Sequence, residues 1–192
     1  MKTRYFFLCL ALAMSFSSCD TLKKIFTSDL EDEDFIIGQL YADEIVDEKP
    51  YIPARPNRTT NNSSTNLGVN ITNPKLASVI ESWYGVPYKY GGCDKNGVDC
   101  SCFVGNVYKS VYQITLKRTA NDIYQQCTPV AQNKLTEGNL VFFTNSNGKI
   151  SHVGIYLTDN TFVHSSTSHG VSFSKLTDSY WSKHFYKGGK VK

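Results

Sequence analysis

His152-Val153-Gly154-Ile155-Tyr156-Leu157-Thr158-Asp159-Asn160-Thr161-Phe162-Val163-His164 is the stretch on which the fold turns. Its two ends, His152 to Tyr156 and Phe162 to His164, read as strands, and the Asp159-Asn160 turn signal between them predicts an antiparallel hairpin. Just upstream, Leu140-Val141-Phe142-Phe143 reads as another strand, set off by Asn147-Gly148. Further toward the N-terminus the period changes. Leu76, Val79, Ile80, Trp83 and Tyr84 recur at helical spacing behind Asn73-Pro74, a capping side chain followed by proline at the first helical position, and Gly85 ends the run. Phe103, Val104, Val107, Tyr108, Val111 and Tyr112 form a second apolar stripe behind Asp99, and Thr119 caps a short third helix through Ile123 and Tyr124. Helices first and strands afterwards indicate an α+β domain with an antiparallel sheet.

The hairpin carries two of the four histidines in the chain, His152 and His164, and its register decides what they can do together. A three- or five-residue connection centred on Thr158 places them directly opposite on one sheet face. A tight two-residue Asp159-Asn160 turn would instead pair His164 with Ile155 and send the two imidazoles to opposite faces. The longer connection is expected, because it alone lets His164 hydrogen-bond and orient His152.

Cys100 lies one residue past the Asp99 cap, in the first turn of the second helix. Free amides and the helix dipole favour an anion there, which predicts a lowered thiol pKa. A thiol nucleophile needs a proton acceptor, and histidine is the side chain suited to that near neutral pH. Taken singly, these residues have plain structural uses: a cysteine at a helix start is usually a small core residue, and a strand histidine is usually a satisfied polar group.

The chain has 192 residues (21.5 kDa), 41% hydrophobic, 13% aromatic and 19% charged, which suits one domain with an appended segment and excludes both two large domains and general disorder. The net charge of +3 hides a split. Ten of the 17 acidic residues lie between Asp20 and Glu48, whereas residues 71–192 hold 13 Lys+Arg against 7 Asp+Glu. No Lys/Arg cluster or nucleic-acid motif is present, so a nucleic-acid partner is not expected.

Lys2 and Arg4 precede a twelve-residue apolar run, Tyr5 to Phe16, then Ser17-Ser18-Cys19. A charged start, a short apolar stretch and small residues before a cut site describe a secretory signal, and the run is too short for the ~20 residues that span a bilayer. The small residues before Cys19 resemble the lipobox of bacterial lipoproteins, with Phe16 where leucine is usual. By that resemblance residues 1–19 are a lipoprotein signal ending in an acylated Cys19 that anchors the protein to a membrane, facing the periplasm or cell envelope. The other reading is an ordinary cleaved signal with a chance cysteine, and both readings export the protein. Residues 20–70, with the acidic block Asp29 to Asp34, Pro50, Pro53 and Pro56, and the Asn/Thr/Ser run Asn57 to Asn66, read as a linker. Residues 71–192 form the globular domain. Export makes disulfides possible among Cys93, Cys100, Cys102 and Cys127, which allow three full pairings. Cys102 diverges from Cys100 by ~200° around the helix, so those two are not expected to pair. Cys-x-Cys does not have zinc-module spacing, and no metal or other cofactor is expected.

Four strings in order change the weight of the Cys and His count: Pro87-Tyr88-Lys89-Tyr90-Gly91-Gly92, Val98-Asp99-Cys100-Ser101, Ser151-His152-Val153-Gly154-Ile155-Tyr156 and Phe162-Val163-His164-Ser165-Ser166. With Arg118-Thr119 and Gly138-Asn139-Leu140-Val141-Phe142-Phe143 between them, they resemble the NlpC family of bacterial cell-wall cysteine peptidases over about Pro74 to Val191. The resemblance implies a papain-like α+β fold, its nucleophile helix packed on an antiparallel sheet carrying the histidines. It implies Cys100 as nucleophile, His152 as general base and later acid, and His164 as the orienting third residue. Tyr88 would support the oxyanion, while Asp99 and Ser101 would help hold the substrate peptide. The implied substrate is a peptidoglycan stem peptide, cut between D-glutamate and a diamino acid or at a related crosslink, by a monomer. Three positions depart from the family pattern: Cys102 stands where glycine is usual, Asn139 where aspartate is usual, with a weaker structural hydrogen bond expected, and Lys187-Gly188-Gly189-Lys190 follows the C-terminal pattern loosely. His169 and His184 match nothing catalytic. The rival readings are an amidase or acyltransferase using the same Cys-His pair, and a non-catalytic wall-binding lipoprotein.

Overall fold

Asn73 does at the first helix what its sequence position predicts. Its side chain accepts hydrogen bonds from the Lys75 and Leu76 amides (3.0 and 3.2 Å), so two of the orphan donors of helix α1 (Pro74–Trp83) are satisfied locally. The structure is a computed structural model that describes residues 67–192. The signal segment, Cys19 and the linker up to residue 66 lie outside the described residues. The Glu137 carboxylate, far along the chain, clamps the start of α1 by accepting from the Thr72 amide (2.6 Å), the Thr72 hydroxyl (2.9 Å) and the Asn73 amide (2.8 Å).

After α1 comes a small hairpin, β1 (Cys93–Asp94) and β2 (Gly97–Val98), and then α2 (Cys100–Tyr112), capped by Asp99 as expected and closed by Gln113 in left-handed backbone. Helix α3 (Ala120–Gln125) is capped by Thr119. The rest is mainly sheet: β3 (Cys127–Val130), β4 (Leu140–Thr144), β5 (Ile150–Tyr156), β6 (Thr161–Ser166), β7 (Gly170–Lys175) and β8 (Phe185–Val191), with helix α4 (Ser179–His184) before the last strand. The six strands form one antiparallel sheet in the order β3-β8-β4-β5-β6-β7. This is the expected α+β arrangement, although β3, β7, β8 and α4 had no clear signal in the sequence.

The pleat sorts the side chains into two layers. Leu140, Phe142, Val153, Ile155 and Val163 join the cluster formed with Leu76, Ile80, Phe103, Val104, Val107 and Ile123 from the helices. Val141, Phe143 and Phe162 pack on the other side with Leu176 and Trp181, the latter carried by α4. Fully burying such side chains contributes about 1.5–3 kcal/mol each, so both layers are strongly specified.

The β5–β6 hairpin corrects one expectation. Leu157 N–H donates to Thr161 O (2.9 Å), enclosing Thr158-Asp159-Asn160. The connection therefore has the expected three residues but is centred on Asp159, one position later than predicted. The cause is local: both Asp159 and Asn160 adopt left-handed backbone (φ 50° and 59°), which short polar side chains tolerate. Ile155 pairs with Val163 and Tyr156 with Phe162. Continued by one pair, this register sets His164 opposite Gly154 rather than opposite His152. Because the shift is two residues along β5, both histidines still share a face.

Candidate active site

Hydrogen-bonded pairing between β5 and β6 ends early, leaving a fork into which the first turn of α2 is held from both sides. On the β6 side, the Ser165 hydroxyl donates to Val98 O (2.7 Å), two residues before Cys100. On the β5 side, Cys100 is hydrogen-bonded to the backbone of Val153, the residue after His152. Gly154 sits at the mouth of this fork. A Cβ there would lie 2.7 Å from the Phe162 ring, 2.9 Å from Val163 O and 3.3 Å from the His164 Cβ. The missing side chain is what lets β6 lean in, so that histidines placed diagonally still meet.

They meet closely. His152 Nε2 and His164 Nδ1 are 2.9 Å apart, and His164 Nε2 lies 3.0 Å from the Ser174 hydroxyl on β7. Trp181 packs on both imidazoles, its ring centroid 5.4 Å from His152 and 4.8 Å from His164, and Phe143 closes the back. Burial lowers the His152 pKa to about 4 and holds His164 well below the ordinary histidine range, the neighbouring imidazoles adding to the effect on His164. Both rings are therefore neutral at pH 7, with one ring proton each. If His152 Nδ1 is to accept a proton, its Nε2–H must donate to His164 Nδ1. His164 then carries its proton on Nε2 and donates to Ser174 Oγ.

Cys100 does not match the expected lowered thiol pKa. Burial, followed by the Asp99 carboxylate, pushes it up to about 12, outweighing the hydrogen bonds from the backbone of Val153, Ser101 and Cys100 itself. A helix N-terminus stabilises a thiolate that water or a cation also reaches; here Cys100 is only 8% exposed. The resting pair is thus thiol and imidazole. Between pH 6.5 and about 4 the unfolded chain binds a proton that the folded His152 refuses, so stability falls as pH drops through this window. Any activity that needs neutral His152 is expected to persist to mildly acidic pH, with kcat/KM halving near 4. A pH–rate profile breaking near the ordinary 6.5 would contradict the buried neutral pair.

Asp99 caps α2 by accepting from the Cys102 amide (2.8 Å), and also accepts from the Ser101 hydroxyl (2.9 Å). Arg118 grips both of its carboxylate oxygens and donates to Ser101 Oγ (2.8 Å). The pair is asymmetric: Asp99 is buried, whereas half of the Arg118 side chain faces solvent in the cleft. Tyr88 is half-buried on the same cleft, joined to Val98 by an isolated bridge. Burial, the Cys100 and Asp99 charges raise its pKa, so its hydroxyl stays a hydrogen-bond donor. The cleft itself has a volume of about 430 Å³ and is lined by Cys100 together with Tyr88, Ser101 and Arg118.

The fork thus brings Cys100 to the β5 backbone at Val153, the residue after His152, with His164 bonded to His152 and Tyr88, Asp99 and Ser101 around the cleft. His169, near enough to act on His164, bonds Ser168, and His184 bonds Tyr180 O, so neither belongs to the His152–His164–Ser174 chain. The Asn139 side chain accepts two hydrogen bonds, from the Thr136 amide (3.0 Å) and hydroxyl (3.2 Å). Arg118, Ser174 and Trp181 were missed as site residues. The Arg118-Thr119 string was visible, but no spacing rule links Ser174 or Trp181 to the histidines. Cys102 turns away from Cys100 and forms a disulfide with Cys93 (Cα–Cα 5.4 Å), tying the β1–β2 hairpin to the first turn of α2, and Cys127 is free.

Comparison with known proteins agrees with this fold. A chain named "Probable endopeptidase NlpC" from Escherichia coli is 40% identical over 117 residues, covering 60% of this chain and 76% of the relative. Another E. coli protein, "Murein DD-endopeptidase MepS/Murein LD-carboxypeptidase", is 38% identical over 118 residues, covering 61% of this chain and 62% of the relative. Among solved structures, an NlpC/P60 family protein from Bacillus cereus superposes with a TM-score of 0.57 at 27% identity, covering 61% of this chain and 39% of the other. The NlpC/P60 family model matches residues 85–190, a span that begins at Gly85 and takes in Cys100, His152 and His164 together, so the chain belongs to the NlpC/P60 family.

Proposed function

We propose that the protein is an exported thiol hydrolase that opens peptide stems of peptidoglycan. The observation that carries the reading is the buried chain His152–His164–Ser174, which starts on the strand whose next residue, Val153, bonds Cys100 at the helix start, together with relatives named as murein endopeptidases. As the Cys100 sulfur forms its bond to a stem-peptide carbonyl carbon, the thiol proton passes to His152 Nδ1. The carbonyl oxygen becomes an oxyanion, and in this reading the Tyr88 hydroxyl and the Cys100 amide donate to it. Such donors typically contribute a few kcal/mol of barrier lowering. His152 then gives its proton to the leaving amine, which departs as the carbonyl re-forms in an acyl-enzyme. A water loses a proton to His152 and attacks the thioester, releasing the carboxylate and restoring the thiol.

A bond between D-glutamate and a diamino acid, or a related crosslink, is the scissile position in this reading. Asp99 and Ser101, held by Arg118, would take part in holding the stem. Export and lipid attachment at Cys19 belong to the same proposal. They are supported by the charged and apolar leader and by the Cys93–Cys102 disulfide, a bond that persists outside reducing cytosol. The test is digestion of purified sacculi with the full chain, followed by mass spectrometry of the fragments. Release of fragments cut within the stem is expected. Undigested sacculi would overturn the proposal, and release of intact stems cut from the glycan would show an amidase instead.

A further inference from the structure

A second depression of about 480 Å³ continues the catalytic cleft, sharing Asn121 and Ile150 with it. Its far wall is Tyr186, which is 45% exposed, and Tyr124, whose ring stands at 76° to that of Tyr186 with centroids 5.4 Å apart. The exposure of Tyr186 has a backbone cause. Phe142 pairs with Lys187 and Phe143 with Phe185, so Tyr186 is the extra residue of a β-bulge. A bulge re-aims a side chain out of the regular alternation, and bulges gather beside active sites. A second bulge lies at the same end of β4: Phe143 pairs with His152 and Thr144 with Ile150, leaving Ser151 as the extra residue on the wall of the first cleft. Two neighbouring bulges therefore shape one continuous groove.

The chemistry of the second half differs from that of the first. Asn121 and Gln125 stand four apart on α3, on one helix face, and their carboxamides make no hydrogen bond among the described residues. Lys149 is the one charged residue on its lining, which has no carboxylate. An exposed aromatic corner with free amide donors and acceptors suits a neutral ligand with both apolar C–H faces and many hydroxyl or N-acetyl groups. A stem peptide, with several carboxylates, would call for more cations than Lys149. We infer that this extension is a saccharide subsite, binding an N-acetylated amino sugar of the glycan strand while the stem attached to that strand occupies the cleft at Cys100. The inference rests on the peptidoglycan reading above and makes the protein selective for stems still joined to glycan.

The test compares kcat/KM of the full chain on two substrates of identical stem sequence, one glycan-linked and one freed of sugar. The wild type is expected to prefer the glycan-linked substrate. Tyr186→Ala should raise KM for that substrate about tenfold, the effect of truncating an aromatic anchor, and leave the free stem unchanged. Gln125→Ala should act in the same direction more weakly. Equal loss on both substrates would assign the groove to peptide and overturn the inference, as would no preference in the wild type or no effect of either substitution. A second measurement does not depend on cleavage: titration with a tetramer of N-acetylglucosamine, followed by NMR, should shift Tyr186 and Gln125 signals in the wild type, and the binding should be lost in Tyr186→Ala. If neither substrate is cleaved, the function reading fails while this titration still decides the subsite; no binding by the wild type overturns the subsite alone.

Discussion

Cys100→Ala and His152→Ala are each expected to lower kcat/KM on stem peptides by at least ~10³-fold, and the double variant no further, because nucleophile and base act as one unit. Circular dichroism and Tm should stay close to wild type for Cys100→Ala, since the thiol makes only weak hydrogen bonds to the backbone. The residues behind His152 grade the effect. His164→Ala removes the partner of His152 Nε2 and is expected to lower kcat on the order of 10²-fold, as loss of an orienting group does. Ser174→Ala leaves His164 Nε2–H without its acceptor and frees the ring to take the opposite tautomer, in which Nδ1–H would face the Nε2–H of His152. About fivefold in kcat with KM unchanged is expected from one hydrogen bond of ~1 kcal/mol, and Ser174→Thr, which keeps the hydroxyl, should recover most of it. A Ser174→Ala protein with wild-type kcat would show that the hydroxyl does not set the tautomer.

Gly170→Ala is expected to be the most damaging conservative change to the fold. Gly170 has φ +65°, and a Cβ there would collide with the Val86 carbonyl and approach the Pro87 Cα to 3.0 Å, both backbone atoms that cannot rotate aside. The collision falls on the pairing that docks the segment after α1 against β7: Val171 N–H donates to Val86 O (2.8 Å) and Gly85 N–H to Val171 O (2.9 Å). Left-handed backbone for alanine costs ~1 kcal/mol, and displacing these bonds brings the total to roughly 3–4 kcal/mol. For a domain of this size that is a fall in Tm of about 10–15 °C. Gly148→Ala separates the two contributions, because Gly148 has φ +72° but nothing within 4 Å of its Cβ position. It should lower Tm by only a few degrees. Since Tyr88 follows Pro87 directly, Gly170→Ala should also raise KM; equal Tm for the two glycine variants would contradict the collision.

The helix starts were legible because they are local chemistry. Asn73, Asp99 and Thr119 each satisfy amides within three residues of themselves, so a short window of sequence contains both partners. The strands β4, β5 and β6 were legible from their apolar and aromatic content. Strands β3 and β8 were not, since Cys127-Thr128-Pro129-Val130 and Lys187-Gly188-Gly189-Lys190 resemble loops until each supplies the other with a partner.

Residue types and spacing pointed weakly to Cys100, His152 and His164, and it was the resemblance of the motif strings to the NlpC family that gave them weight and added Tyr88, Asp99 and Ser101. Long-range geometry was a different matter. The fork that receives α2, the bulges at Ser151 and Tyr186, and the Ser174 and Trp181 support for the histidines all depend on strands packing from separate parts of the chain. The thiol pKa belongs with them. A helix dipole can be read from a cap, but the desolvation that overrides it exists only once β5 and β6 have closed around the sulfur.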